Sequence, residues 1–314
     1  MMVRKPPAPQ IPKNHADPTG LDPLERAAIA DFRRRFNDIA KRVIALLDGM
    51  DYTILTVNAS RYVYDLRPEI VAYTIANISD IVDEALGDEF GYESFSWFFE
   101  SYVEPAYARG TAQSYSNMAH QSPVYRAGRR SVREIVQSDP YKRRIALIQA
   151  REFELMKGIV GDTKSNLTRV LTDGIARGRG PREVAKAIRT ETGMSIGRAE
   201  RIARTEMSTA LKRARLDESD EAAESFGVTF KQMHMSALSP TTRRTHAARS
   251  GNLYTSDEVR EWYSHSGNAI NCKCTQLEVL MGDDGKPVVP SIGSRMKAAR
   301  AKYEADNDID LSKE

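Results

Sequence analysis

The sequence predicts a mainly α-helical protein with a C-terminal α+β domain that contains a small antiparallel sheet. Apolar residues recur at steps of three and four through most of the first 215 positions, and the pattern then changes to alternation. The first period is typical of amphipathic helices and the second of half-buried strands. With 314 residues, of which 41% are hydrophobic and 28% charged, the chain is long enough for two domains with sizeable cores.

The N-terminal region is predicted to be an extended arm followed by two long helices. Five prolines within residues 1–20 oppose helix nucleation, so we expect an arm over 1–23 that becomes ordered only against a partner. Helical periodicity predicts one helix over 24–49 and another over 68–86. Between them, β-branched and aromatic residues on both sides of Asn58–Ser60 predict a short hairpin.

The central region is predicted to add core residues and further helices. Aromatic side chains within 94–119 are expected to pack against the preceding helices. Residues 122–140 are expected to form a basic connection with one short helix. Gly178–Pro181 matches no phosphate-binding spacing and is expected to end one helix and begin the next. The predicted helices are 141–158, 164–178, 181–190 and 198–215.

Three short runs near the C-terminus predict the sheet. Alternation indicates strands at 228–235 and 270–281, and a turn at Asp283–Gly285 precedes a third run at Val288–Val289. We therefore expect four regions. They are an extended arm at 1–23, a helical region at 24–160, the α+β domain at 161–290 and a charged tail at 291–314.

Charge is distributed in blocks along the chain. Residues 51–104 carry 2 basic and 11 acidic side chains, a net of −9, whereas residues 105–217 carry 23 and 11, a net of +12. Such blocks predict surfaces for different partners, one of them nucleic acid, or solvated faces that oppose each other. The candidate nucleic-acid contacts are Arg126, Arg129, Arg130, Arg133, Lys142, Arg143 and Arg144.

Glu206 falls within the apolar stripe of the predicted 198–215 helix. A carboxylate on an apolar face is costly unless it is paired, so we expect a buried salt bridge to His246 or to an arginine of another element. A catalytic carboxylate is the alternative. A nuclease or transferase site of Glu206 with His246, Arg243 and Arg244 would lack a nucleophile and metal-binding acids.

Three histidines and both cysteines fall within residues 234–274. On a strand, Cys272 and Cys274 would share one face, where His246 with His265 or His234 would complete a tetrahedral zinc site. The single intervening residue is a weak version of the usual zinc spacing, so we expect packing thiols with no metal and no cofactor. In that interpretation Asn271 and His246 anchor the long loop before the second strand.

The sequence predicts neither a signal peptide nor a membrane-spanning helix. No run of about 18 apolar residues occurs, and the first residues lack the apolar segment of a signal peptide. We therefore expect a protein of a cytosol-like compartment.

Six short motifs occur in a distinctive order between about Asn166 and Val279. They are Gly174–Gly178, Glu183–Ala185, Arg198–Glu206, Gly227–Val228, Arg244–His246 and Asn271–Cys274. Together they resemble the phage Mu F-like minor head proteins, also called phage head morphogenesis proteins. The resemblance makes this set a structural motif, with Arg201, Arg204, Thr205, Glu206, Arg244, His246, Asn271, Cys272 and Cys274 as its principal residues.

The resemblance implies a virion component of the head interior or portal vertex that assembles in the host cytoplasm. Its implied partners are the portal protein, the major capsid or scaffold protein, and packaged double-stranded DNA, with which some relatives leave the head during ejection. No membrane takes part in the assembled particle, and no enzymatic activity is expected. The alternative is an ADP-ribosyltransferase-like or nuclease-like enzyme built on the C-terminal domain.

Overall fold

The computed structural model describes residues 7–55, 61–87, 96–129 and 131–312, and it confirms a mainly helical protein with small antiparallel sheets. The strands are β1 (Tyr52–Leu55), β2 (Arg61–Tyr64), β3 (Phe230–Met235), β4 (Leu253–Tyr254) and β5 (Thr275–Leu280). The helices are α1 (Asp22–Asp48), α2 (Pro68–Leu86), α3 (Ser96–Phe98), α4 (Glu104–Gln121), α5 (Pro123–Gly128), α6 (Val132–Gln137), α7 (Asp139–Ala176), α8 (Pro181–Phe226), α9 (Arg244–Ala248), α10 (Ser256–Ser264) and α11 (Ser291–Asn307), with a π-helical turn at Phe99–Val103.

Two compact units make up the chain, and each is discontinuous in sequence. Unit 1 comprises Met1–Glu25, Tyr102–Ile145 and Arg204–Glu314, and unit 2 comprises Arg26–Ser101 and Ala146–Ala203. Helices α1, α7 and α8 each begin in one unit and end in the other. The predicted boundary at residue 160 separates two continuous regions, whereas the compact units are discontinuous. The predicted division into domains stays a prediction.

Unit 1 is built on a three-stranded antiparallel sheet with the order β4-β3-β5. β3 pairs with β5 from Phe230 opposite Leu280 to Met235 opposite Thr275. Side chains of β3 and β5 form an apolar core with α11, and its members are Met233, Met235, Leu277, Val279, Met281, Ile292 and Met296. The predicted third strand at Val288–Val289 is wrong, because beside β5 only an isolated Met281–Pro287 bridge forms after the turn, and the third strand of the sheet is β4 at the other edge.

The described part of the N-terminal arm packs within unit 1. The backbone N–H of Gln10 donates to Asn117 Oδ1 at 2.8 Å, and Ile11 contacts the sheet core. The Asp17 carboxylate accepts from the N–H groups of Gly20, Leu21 and Asp22, which caps the start of α1. The expectation that this arm orders only against a partner is therefore wrong for residues 7–21, because α4 of the same chain supplies the contacts.

Unit 2 packs the apolar stripe of α1 against α2 and the aromatic side chains that follow it. Phe32 and Phe36 are fully buried, and the Phe32 and Phe98 ring centroids lie 5.3 Å apart. The predicted hairpin is confirmed by the pairing of β1 with β2, while its turn at Asn58–Ser60 lies outside the described residues. Tyr62 N donates to Gly178 O at 3.0 Å, which joins the hairpin to the end of α7.

The helices α7 and α8 are longer than the sequence predicted. α7 is one helix where two were expected, and α8 joins two predicted helices and continues through the following polar stretch to Phe226. Glycines at 158, 161, 193 and 197 favoured breaks, but each faces open space. An exposed glycine costs about 1 kcal/mol in a helix, which the burial of neighbouring apolar side chains outweighs. The stop at Gly178 is confirmed by its φ of +64°.

A buried ion pair joins α8 to β5 inside unit 1. Arg215 donates to both carboxylate oxygens of Glu278, at 2.9 and 2.7 Å, and these side chains are only 2% and 0% exposed. Asn117 of α4 donates to the same carboxylate at 2.7 Å, and Gln121 donates to the Glu278 carbonyl at 2.8 Å. Gly110 permits the close approach of α4 to α8, because a Cβ there would collide with a carbonyl of α8.

Breaking this pair from one side should destabilise unit 1 strongly. For Arg215→Met we expect a loss of about 3 to 5 kcal/mol in the free energy of unfolding, because the Glu278 carboxylate stays buried without its cation. Arg215→Met combined with Glu278→Leu should recover most of the loss. Urea unfolding in a Trp97→Phe background measures this, since Trp262 of unit 1 then remains as the fluorescent reporter.

Asp257→Asn is the matched control. It removes an ion pair between Arg260 and the Asp257 carboxylate, which is 97% exposed. It should change the free energy of unfolding by less than about 1 kcal/mol. A loss for Arg215→Met as small as that of the control would contradict the assigned role of the buried pair.

Candidate functional site

Two histidines and two cysteines meet in a buried cluster of unit 1. His234 comes from β3, His246 from α9, and Cys272 and Cys274 from the segment that leads into β5. All four are at most 5% exposed. His246 Nδ1 lies 3.4 Å from the Sγ atom of each cysteine. One ligand atom each from His234, His246 and Cys274 lies within 4.8 Å of the others.

A ring of aromatic and polar groups encloses this His–Cys cluster. The Trp262 ring contacts both imidazoles, with centroid distances of 5.5 Å to His234 and 4.6 Å to His246. The Tyr263 hydroxyl lies 3.7 Å from Cys272 Sγ. Lys212 Nζ donates to the Cys272 carbonyl at 3.2 Å. These contacts hold the Cys272 segment in place beside the two imidazoles.

The two thiols titrate differently although they are close neighbours. A hydrogen bond from Cys274 holds the pKa of the Cys272 thiol well below its ordinary value, and Lys212 and His246 act in the same direction. The hydrogen bond that Cys274 donates, together with burial, raises the pKa of that thiol. Burial lowers the pKa of His234 to about 3, so its ring is neutral at physiological pH. A thiolate and a neutral imidazole are the forms that bind metals.

The segment before β5 resembles a strand in its burial but not in its pairing. β5 begins only at Thr275, so the predicted strand placement of the cysteines is wrong. Burial nevertheless alternates, with Cys272 and Cys274 inside and Asn271 and Lys273 exposed. Asn271 has a φ of +55°, and its N–H donates to Thr205 Oγ1 at 3.0 Å. That turn replaces the strand pairing and directs both thiols inward.

Arg243 fixes the loop that delivers the cysteines. Its guanidinium donates to the carbonyls of Gly267, Asn268 and Ile270 at 2.8 to 3.0 Å. Both Arg243 and the neighbouring motif residue Arg244 are exposed, and Arg243 is the one that makes these loop contacts. The assignment of Arg244 to the structural motif stays a prediction, and the loop contacts of Arg243 are a feature that the sequence does not reveal.

Removal of the Arg243 contacts should loosen the 267–271 loop without unfolding unit 1. A lysine provides one ammonium group where three carbonyls need a planar fork of donors. For Arg243→Lys we expect the amide exchange of Asn268 and Ile270, both hydrogen-bonded within the loop, to accelerate by about tenfold. Hydrogen exchange followed by mass spectrometry measures it, with Arg244→Lys as the control. Equal exchange in both variants would contradict this role.

The other predicted motif residues are only partly brought together. Glu206 is buried at 8% exposure, and its expected salt bridge stays a prediction. Arg204 lines a cleft of about 250 Å³ that reaches the His–Cys cluster, whereas Arg201 lies exposed in unit 2. His265 is exposed, with Nδ1 2.8 Å from the carbonyl of Glu261, so it lies outside the cluster. His234, and not His265, is the histidine that lies beside His246 and Cys274.

Two of the candidate nucleic-acid contacts are neutralised by carboxylates of α8. Arg129 pairs with Glu218 and Glu221, and Arg144 pairs with Glu221 at 2.9 Å. The predicted set is therefore corrected at these two arginines, because carboxylates of the same chain already pair with their guanidinium groups. Arg130 lies outside the described residues. The exposed members of the set are Arg126, Arg133, Lys142 and Arg143.

Comparison with known proteins identifies the segment that holds the cluster. Residues 165–277 match the family model of phage Mu protein F like protein. This segment is similar to the phage Mu F-like proteins. It contains all four residues of the His–Cys cluster, and the resemblance predicted from the six motifs is confirmed. No solved structure matches the chain.

A curated relative belongs to a different functional class. The chain is 30% identical over 127 residues to NAD(+)--arginine ADP-ribosyltransferase EFV of Enterococcus faecalis. The match covers 37% of this chain and 26% of the relative, so the chain spans about a quarter of that protein. Within the described residues, no helix has both the length and the apolar character that a membrane crossing requires.

Proposed function

We propose that this protein is a minor head protein of a tailed phage that binds the portal vertex during capsid assembly and DNA delivery. The Mu F-like domain supports a place among phage head components. The observation that carries the docking role is an exposed apolar surface in unit 2, outside the matched segment. The virion head is the proposed location, after assembly in the host cytoplasm.

The apolar surface is concentrated in a short part of the chain, residues 52–75. It contains seven of the eleven large hydrophobic side chains found exposed among the described residues. These seven, the 52–75 surface, are Tyr52, Ile54, Leu55, Val63, Leu66, Tyr73 and Ile75, with exposures from 40% to 65%. Soluble proteins seldom expose apolar side chains in such density unless they bind a partner there.

A groove beside this surface gives it a shape that a protein element can enter. The groove has a volume of about 210 Å³ and is lined by α2 and α7 residues including Val71, Ile75, Leu171 and Ile175, with Leu66 at one end. Amphipathic helices bind such grooves through an apolar stripe. Because residues 51–104 carry a net charge of −9, the fitting partner is an apolar helix with basic flanks. We assign that helix to the portal.

Charge placed on the 52–75 surface should prevent entry into heads. For Leu66→Asp with Ile75→Asp we expect at least about a tenfold lower content in purified particles, because two carboxylates would have to be desolvated in the groove. Quantitative mass spectrometry of particles, with portal co-purification, measures this. Leu147→Asp is the matched control, since Leu147 is 73% exposed in unit 2 but outside the surface.

Normal incorporation of the double variant would contradict the assigned docking surface. If Leu147→Asp also lost incorporation, the effect would not be specific to the 52–75 surface. Circular dichroism of the purified variants establishes that unit 2 remains folded.

Packaged DNA is the second proposed partner. The exposed residues Arg126, Arg133, Lys142 and Arg143 lie near one another in sequence and point to contact with phosphates. Replacing all four by Gln should weaken binding to duplex DNA and reduce the slope of log affinity against log salt by about one for each lost contact. Arg177→Gln with Arg182→Gln, at exposed positions of unit 2, is the control. An unchanged slope would exclude these residues.

An ADP-ribosyltransferase-like or nuclease-like enzyme is the second candidate function, and the name of the curated relative favours the first of these. The full chain incubated with labelled NAD+ and an arginine-containing acceptor distinguishes the candidates. Transfer of the label, or degradation of added DNA, would contradict a role confined to binding.

A further inference from the structure

The His–Cys cluster has the composition and the spacing of a metal site. We propose that Cys272, Cys274, His246 and His234 bind one Zn²⁺ ion, against the expectation from the spacing of the cysteines. The ion would be structural, joining β3, α9 and the segment before β5. This assignment is independent of the docking role proposed above.

Two distances within the cluster match edges of a tetrahedral zinc site. With Zn–S bonds of about 2.3 Å and Zn–N bonds of about 2.0 Å, tetrahedral angles place neighbouring N and S ligands about 3.5 Å apart. His246 Nδ1 lies 3.4 Å from both sulfur atoms. His246 Nδ1 thus already lies at coordination spacing from both thiols.

His234 supplies the fourth ligand. One of its ring nitrogens lies within 4.8 Å of the ligand atoms of His246 and Cys274, which places it beside these two ligands. Its Nε2 atom is buried and has no hydrogen-bond partner among the residues that the structure describes. A buried polar atom without a partner costs free energy, and coordination to a metal would remove that cost.

The charge of the site is suited to a divalent cation. Two thiolates and two neutral imidazoles balance the formal charge of Zn²⁺, so the complex is compatible with Lys212 near Cys272 and with the apolar ring of Trp262. Sulfur and imidazole ligands favour zinc over magnesium or calcium, which prefer oxygen. Four protein ligands leave no open position for a substrate, as in structural sites.

An ion can reach the cluster through the cleft of about 250 Å³ described above. His246, Cys272 and Cys274 form part of its lining, and Arg243 and Lys273 lie along the same wall. A route from solvent is one of the conditions that a credible metal site must meet. The site can therefore load after the domain has folded.

Metal analysis of the full chain tests the proposal. After purification without chelator, elemental analysis should give one zinc per chain, and His265→Gln should retain it because that histidine is exposed outside the cluster. Cys272→Ser with Cys274→Ser, and separately His234→Gln, should lower the zinc content at least about tenfold, as expected for loss of ligands.

A measurement on the wild-type protein avoids variants that fail to fold. The chain has two cysteines, so a thiol-specific mercurial should release one zinc for every two thiols modified, followed with a zinc-sensitive dye. Cobalt substituted for zinc should show thiolate-to-cobalt charge transfer and the intense ligand-field bands of tetrahedral geometry.

Three results would overturn the assignment. The wild-type protein could contain no zinc and take up neither zinc nor cobalt. The double cysteine variant could keep its zinc, which would place the ion elsewhere. His234→Gln could retain zinc with unchanged affinity, which would exclude His234 as the fourth ligand.

Discussion

The buried pair of Arg215 and Glu278 is the constraint on which the arrangement of unit 1 depends. Neither group can be left alone in the interior, because an unpaired buried charge costs several kcal/mol. β5 must therefore meet α8 in one register, and Asn117 and Gln121 extend the same requirement to α4. Since β5 also pairs with β3, fixing Glu278 fixes the sheet.

The same helix that holds the sheet also holds the His–Cys cluster. Lys212 lies one turn before Arg215 on α8 and donates to the carbonyl of Cys272, while Thr205 accepts the N–H of Asn271 two turns earlier. The segment that carries the thiols is thus attached at two points to a helix whose position the ion pair determines. Precise placement of ligands requires this kind of support from outside the cluster.

Periodicity predicted those elements whose stability is local. The apolar stripes of α1 and α2, the two arms of the hairpin and the alternation of β3 all appear in the structure. The helices α7 and α8 were predicted in pieces, because the cost of an exposed glycine is visible in sequence while the packing that outweighs it is not. The order in residues 7–21 comes from contacts with α4, about a hundred positions away in the chain.

The candidate site shows the same division between local and distant information. Spacing identified Cys272 and Cys274 as a pair, but it did not distinguish His234 from His265. The fold buries His234 in the cluster and leaves His265 exposed at the end of α10. The count of charges by sequence segment missed contacts between segments in the same way. The cations at Arg129 and Arg144 belong to the +12 block, whereas the carboxylates that neutralise them, Glu218 and Glu221, follow in the next block. A charge count by segment therefore overstates the positive surface wherever distant segments pack together, and only four of the candidate cations are exposed among the described residues.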